Sequence, residues 1–259
     1  MKRDLIFLVG LPRSGHSLLG SIFQQNKEVE VTSHNFISPL FNQLVDYKLS
    51  EIFVSYPDHN SINNIIKNCI DLYYKDWKAK YIIQRTTLSP DIILRLREYY
   101  PDRKIKFIVL ERDILEVLAS LIKWSKKEPT AYLNQIEQLT NDFYKCKFMM
   151  SDEGFIKTEW NVISYLKEKE NKNSLFINFY DLTKNPDKEI NKIYHFLNIK
   201  SFKHDFNNLK DFKPNNISYN NFLLGKNLYK IDKKIKPVKK YASKVLEESI
   251  ITAFKKGAL

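Results

Sequence analysis

The 259 residues carry a formal charge of +12, with 42 Lys and Arg against 30 Asp and Glu. Hydrophobic residues make up 43% of the chain, enough for one large core or two small ones, which excludes an intrinsically disordered protein. No apolar run reaches the roughly 18 residues of a membrane helix. The two cysteines, Cys69 and Cys146, have no metal-like spacing and read as buried thiols. The basic balance favours an anionic partner: a nucleotide, a sulfated or phosphorylated substrate, nucleic acid or a membrane. A lysine-rich compositional bias accounts for it equally well.

Residues 5–9 (LIFLV) are continuously apolar, the pattern of a strand covered on both faces. The run is too short for a signal-peptide core and meets Gly-Leu-Pro-Arg at once. The spacing of Leu18, Leu19, Ile22 and Phe23 predicts a helix over 16–25. A short strand at 29–31, a helix over 60–77 and a strand at 80–84 follow. Pro90 opens a helix over 90–99. KIKFIVL (104–110) is the second strong strand, and the helix after it (113–124) starts with Asp113 and Glu116 as a capping-box variant. Helices over 131–150 and 155–169 precede a strand at 174–179. Asn185-Pro186 then caps a helix carrying Ile190, Ile193, Tyr194 and Leu197. This alternation predicts an α/β fold with a P-loop-type central parallel sheet and helices on both faces, in one domain spanning 1–259. Residues 200–240 read as a loop-rich, lysine-rich flank that covers a site or forms a mobile arm, with a closing helix over 241–256. His195 belongs to an amphipathic helix, and His59 and His204 read as surface residues.

Between the first strand and its helix lies Gly10-Leu-Pro-Arg13-Ser14-Gly15-His16-Ser17. It is the phosphate-loop pattern G-x-x-x-x-G-K-[ST] with histidine in place of lysine. Such a loop offers backbone N–H groups to an anion, and its glycines allow close approach. Arg13 adds a guanidinium and Ser14 and Ser17 add hydroxyls. A neutral His16 replaces a permanent ammonium poorly. The loop therefore suits an anion carrying less charge than a nucleoside triphosphate.

GLPRSGHSLL and KFIVLERDILEVLASLIK (106–123) together resemble the signature of the sulfotransferases that use 3′-phosphoadenosine-5′-phosphosulfate. In that family the first motif binds the 5′-phosphosulfate. The second is a strand ending in Arg-Asp, with a serine eight residues beyond the arginine; the arginine and serine hold the 3′-phosphate. Arg112 and Ser120 have that spacing. The segment from Phe179-Tyr180-Asp181-Leu182 to Asn185-Pro186 extends the resemblance, which spans about residues 4–200. It implies that Arg13, Ser14, Gly15, His16 and Ser17 hold the phosphosulfate and that Arg112 and Ser120 hold the 3′-phosphate. In the protein-tyrosine branch the general base is a glutamate 21 residues after the loop arginine; here that position is His34. Arg85, in YIIQRTTL, matches a lysine of that branch which stabilises the bridging oxygen. An exposed loop histidine and a surface ion pair are the plainer readings of these two residues. Lys226 and Tyr229 are expected to approach the nucleotide from the C-terminal flank.

The resemblance implies sulfuryl transfer to a hydroxyl or amine of a small molecule, saccharide or peptide, without metal; the lack of a signal-peptide or membrane-helix pattern predicts a soluble protein of the cytoplasm. Loops at 35–60, 125–150 and 200–235 are expected to shape the acceptor pocket. Phe36, Phe41, Tyr47 and Trp124 suit an apolar or ring-bearing acceptor, or a core. Two rivals remain at this point. A P-loop kinase-like phosphotransferase requires magnesium. A non-catalytic nucleotide or polyanion binder predicts steep salt dependence, although no nucleic-acid-binding motif accompanies the charge.

Overall fold

The apolar run after Asp4 forms β1 (Leu5–Gly10), buried at every position. The computed structural model describes residues 3–214 and 230–255. In chain order the elements are β1, α1 (His16–Phe23), β2 (Val29–Asn35), α2 (Ile37–Tyr47), α3 (Glu51–Ser55), α4 (His59–Tyr73) and β3 (Tyr81–Thr86). Next come α5 (Pro90–Tyr99), β4 (Ile105–Glu111), α6 (Ile114–Lys127), α7 (Tyr132–Gln135), α8 (Asp142–Met150) and α9 (Phe155–Lys169). The chain continues through β5 (Ser174–Asn178), α10 (Phe179–Lys184), α11 (Pro186–Leu197) and α12 (Glu248–Phe254).

The five strands form one parallel sheet in the order β2-β3-β1-β4-β5. Burial on both faces explains the apolar runs 5–9 of β1 and 107–110 of β4. Leu5, Phe7 and Val9 pack with Ile105, Phe107 and Val109 toward α2, α4, α5, α6, α8, α9 and α12. Ile6 and Leu8 pack with Ile108 and Leu110 toward α1 and α11. Phe7 and Phe107, paired in register, stack at 5.8 Å; truncating either to alanine costs about 3–5 kcal/mol of stability. The strand order reverses around β1. The carboxyl ends of β1 and its neighbours therefore open the crevice where sheets of this kind bind ligands.

Several boundaries differ from the sequence expectation. β2 runs to Asn35, so His34 lies on a strand rather than in a loop. Residues 37–47 and 51–55, expected in an acceptor-shaping loop, are helices whose inward residues Ile37, Phe41 and Phe53 join the core. The expected helix over 131–150 is broken into α7 and α8, the second capped by Asn141. The closing helix is shorter than 241–256, with a 3-10 turn at Ala242–Lys244 before α12. Asp113 caps α6 by accepting from the Leu115 amide, but Glu116 does not complete a capping box. Its Oε1 instead accepts from the Tyr241 and Ala242 amides, at 2.8 Å each. His204 is buried, not on the surface: its Nε2 meets the Tyr194 hydroxyl at 2.9 Å among the rings of Phe23, Phe202 and Phe206.

The described part of the C-terminal flank packs on the body of the protein. Leu209 and Phe212 are buried against α1, and Ser21 and Gln24 donate to the Lys210 carbonyl. A methyl group on Gly20 would strike the Phe212 ring at 2.6 Å. Lys226 and Tyr229 lie outside the described residues.

Candidate active site

Three loop residues have positive φ: Gly10 (154°), Arg13 (66°) and Gly15 (105°). A Cβ at Gly10 would meet the Leu110 carbonyl at 2.6 Å, and one at Gly15 would meet the Phe179 ring at 2.9 Å. Gly15 is the N-cap of α1 and supplies no side-chain cap, so the first-turn amides face whatever the loop binds. Ser14 is fully buried, and both its amide and its hydroxyl donate to the Leu11 carbonyl, the hydroxyl at 2.6 Å. Its hydroxyl therefore shapes the loop instead of pointing at a ligand, contrary to the sequence expectation.

The two arginines of the motifs meet. Arg112, just beyond β4, donates from Nη1 to the Arg13 carbonyl at 2.6 Å. The Arg13 side chain reaches the other way, and its Nε donates to Ser120 Oγ on α6 at 3.2 Å. Arg112 also lies over the Phe179 ring, 4.7 Å from its centre, and 4.0 Å from Glu116. Its Nε is buried and has no hydrogen-bond partner. Desolvation, and after it the Arg112 charge, lower the pKa of the Arg13 guanidinium. Two cations held this close repel each other, and an anion between them relieves the repulsion. Beside them a cleft of about 370 Å³ is lined by Glu111, Arg112, Asp113, Asn178, Tyr180 and Lys240.

On the other side of β1, β2 and β3 bring His34 and Arg85 side by side in register. An extra β2 residue between Val31 and His34 breaks the pairing there; such a bulge re-aims the side chains that follow it. His34 keeps solvent access, and its Nε2 lies 3.0 Å from Thr87 Oγ1. Desolvation, and then the Arg85 charge, lower its pKa to about 4. His16 is half-buried, and its Nε2 has no hydrogen-bond partner. Desolvation, then Arg85, then His34, hold its pKa well below the usual imidazole value. Both rings are thus neutral at physiological pH.

Sequence reasoning brought Arg13, His16, Ser17, His34, Arg85, Arg112 and Ser120 to this end of the sheet but did not place three further residues there. Thr87 meets His34. Glu116 faces Arg112 and holds the 241–242 backbone. Glu159, half-buried on α9, accepts from the Gly10 amide; desolvation raises its pKa, against Arg85 and that amide. Thr87 stands two residues beyond Arg85 in the sequence; Glu116 read only as a cap and nothing local marked Glu159, because helix packing alone brings both to the site. Among the described residues, no group of three or more His, Cys, Asp or Glu is placed to hold a metal ion. No helix among them is long and apolar enough to cross a membrane.

Two solved structures share this fold. A mouse sulfotransferase complexed with PAP matches with a TM-score of 0.56 at 17% identity, over 99% of this chain and 83% of that one. A sulfotransferase domain from the curacin biosynthetic pathway matches with a TM-score of 0.51 at 14% identity, over 100% and 92%. No curated protein sequence matches significantly. The sulfotransferase domain family matches residues 3–240, a span that takes in the loop, the Arg112 strand end and the 238–240 segment beside it. That extent, with both family motifs at the ligand-binding end of the sheet, makes this chain a member of the sulfotransferase family, an enzyme of sulfuryl transfer.

Proposed function

We propose that the donor is 3′-phosphoadenosine-5′-phosphosulfate and that it lies across the carboxyl ends of β1 and β4. The observation that carries this reading is the junction of the two motifs, in which Arg112 holds the Arg13 carbonyl and Arg13 holds Ser120. Arg112 and Ser120 bind the 3′-phosphate. Arg13, the Gly15–Ser17 amides and His16 bind the 5′-phosphosulfate, and Ser14 keeps the loop in shape. The unpartnered Arg112 Nε and His16 Nε2 fit such a ligand, because buried donors left unpaired are costly. PAP, the bisphosphate left after transfer, is what the mouse neighbour holds.

In the reaction, the acceptor oxygen attacks sulfur in line and gives its proton to His34. The bond from sulfur to the bridging oxygen breaks, and its electron pair stays on the 5′-phosphate beside Arg85. Positioning and charge stabilisation supply most of the rate. A sulfuryl group carries less charge than a γ-phosphate, so the reading needs no metal. Phe36, 60% exposed, two residues beyond His34 and edge-on to Tyr73, offers a ring-bearing acceptor an apolar wall. Phe41 does not, because it is buried in the core. Two buried free thiols, Cys69 and Cys146, support a reducing, cytoplasmic setting.

Calorimetric titration with 3′,5′-adenosine bisphosphate in the absence of magnesium tests the donor. Micromolar binding that ATP does not match is the expected result. A preference for magnesium-ATP returns the loop to kinase chemistry.

A further inference from the structure

Three hydroxyls tie the ends of β2 and β3 together, and they do different jobs. Thr32 Oγ1 accepts from the Arg85 amide at 2.8 Å and from the Asn35 side chain at 3.0 Å. Thr86 Oγ1 donates to the Asn35 carbonyl and accepts from the Ser38 amide. Both are buried and hold backbone. Thr87 is half-buried, lies one residue past the strand, and bonds a side chain, the His34 imidazole, at 3.0 Å.

A neutral imidazole has one N–H and one lone pair. If Thr87 donates to Nε2, then Nδ1 carries the hydrogen and neither nitrogen is left to take a proton. If Nε2–H donates to Thr87, then Nδ1 keeps its lone pair. The second arrangement is also the more stable tautomer of a free histidine side chain in water. The β2 bulge lies directly before His34, whose ring meets Thr87, and the neighbouring Arg85 charge disfavours the doubly protonated ring.

We propose that Thr87 is a positioning residue for His34: it accepts the Nε2–H, fixes that tautomer and leaves Nδ1 to receive the acceptor's proton. The inference rests on the reading of His34 as base, but its structural half can be measured without turnover.

The test is long-range ¹H–¹⁵N correlation on protein labelled with ¹⁵N-histidine, with His34 identified by the signals lost in His34→Ala. Wild type is expected to show Nε2–H. Thr87→Val is expected to mix the tautomers and lower kcat about tenfold with little change in bisphosphate affinity, and Thr87→Ser is expected to restore both. An Nδ1–H ring in wild type, or a tautomer unmoved by Thr87→Val in a folded protein, overturns the proposal. So does unchanged kcat in a valine variant whose tautomers do mix. Full turnover in His34→Ala would instead remove the base assignment, whatever the spectra show.

Discussion

On the β4 side of β1 the cleft is built from permanent charge. The Arg112 guanidinium donates to the Arg13 carbonyl, the Arg13 guanidinium donates to Ser120, and Glu116 and Phe179 flank Arg112. On the β3 side two neutral imidazoles and a hydroxyl lie beside the Arg85 cation, with the Glu159 carboxyl at its edge. The contrast follows from what each side handles under the proposed function. A nucleotide bisphosphate keeps its charge through the whole cycle and is matched by groups that cannot lose theirs. An acceptor hydroxyl must give up a proton, which requires groups with lone pairs at neutral pH.

The largest test of this division is His34→Ala. Loss of a positioned base is expected to lower kcat by about 10²–10⁴-fold, while bisphosphate affinity stays unchanged in a calorimeter. Full turnover in this variant breaks the comparison on the acceptor side. Arg112→Ala should do the reverse. Losing hydrogen bonds from a charged donor weakens bisphosphate binding by about 10- to 100-fold, and Arg112→Lys restores only part of it, because an ammonium cannot reproduce the fork.

The pH profile sharpens the same division. A His34 pKa lowered to about 4 leaves the ring neutral, and able to accept a proton, at every pH above that value. The kcat/KM of the wild type, which reports the free enzyme, should therefore be flat through pH 6.5 and fall only as pH drops toward about 4. An acidic limb near 6.5 would mean that the ring titrates as an ordinary histidine. The smallest effect is expected for Ser120→Ala: one neutral acceptor lost from Arg13 weakens bisphosphate binding by about fivefold, the equivalent of ~1 kcal/mol.

The same division decided what the sequence could tell. The charged side was legible because its residues sit in two short motifs, each on a strand–loop–helix unit whose apolar runs are unambiguous. The neutral side was legible only in part. His34 and Arg85 were singled out through the family resemblance, His34 by its distance from the loop arginine and Arg85 by its strand context. Thr87 was not, because its partner is set by the register of β2 against β3 and by a bulge, and neither leaves a local trace. Glu116 was seen and misread: its place in the first turn of α6 suggested a cap, whereas its partners lie far along the chain. The helices at 37–47 and 51–55 went unread where a loop was expected. There Leu40 and Tyr47 of the first helix and Ile52 and Val54 of the second are exposed apolar residues, which blur the periodicity.

The grip of Glu116 on Tyr241 and Ala242 also bears on how the protein is made. Those bonds join residues 125 and 126 positions apart, whereas His34 and Thr87 are 53 apart. Loop closure over such a span is slow compared with the pairing of β2 and β3. As the chain leaves the ribosome, the acceptor side can close while the Lys240 wall of the donor cleft is still unsynthesised. A ligand that binds only the finished fold then acts as a thermodynamic latch on its own pocket, stabilising the protein in proportion to the logarithm of its concentration over Kd. Under the proposed function, donor supply then bears on how much of this enzyme stays folded, as well as on how fast it works.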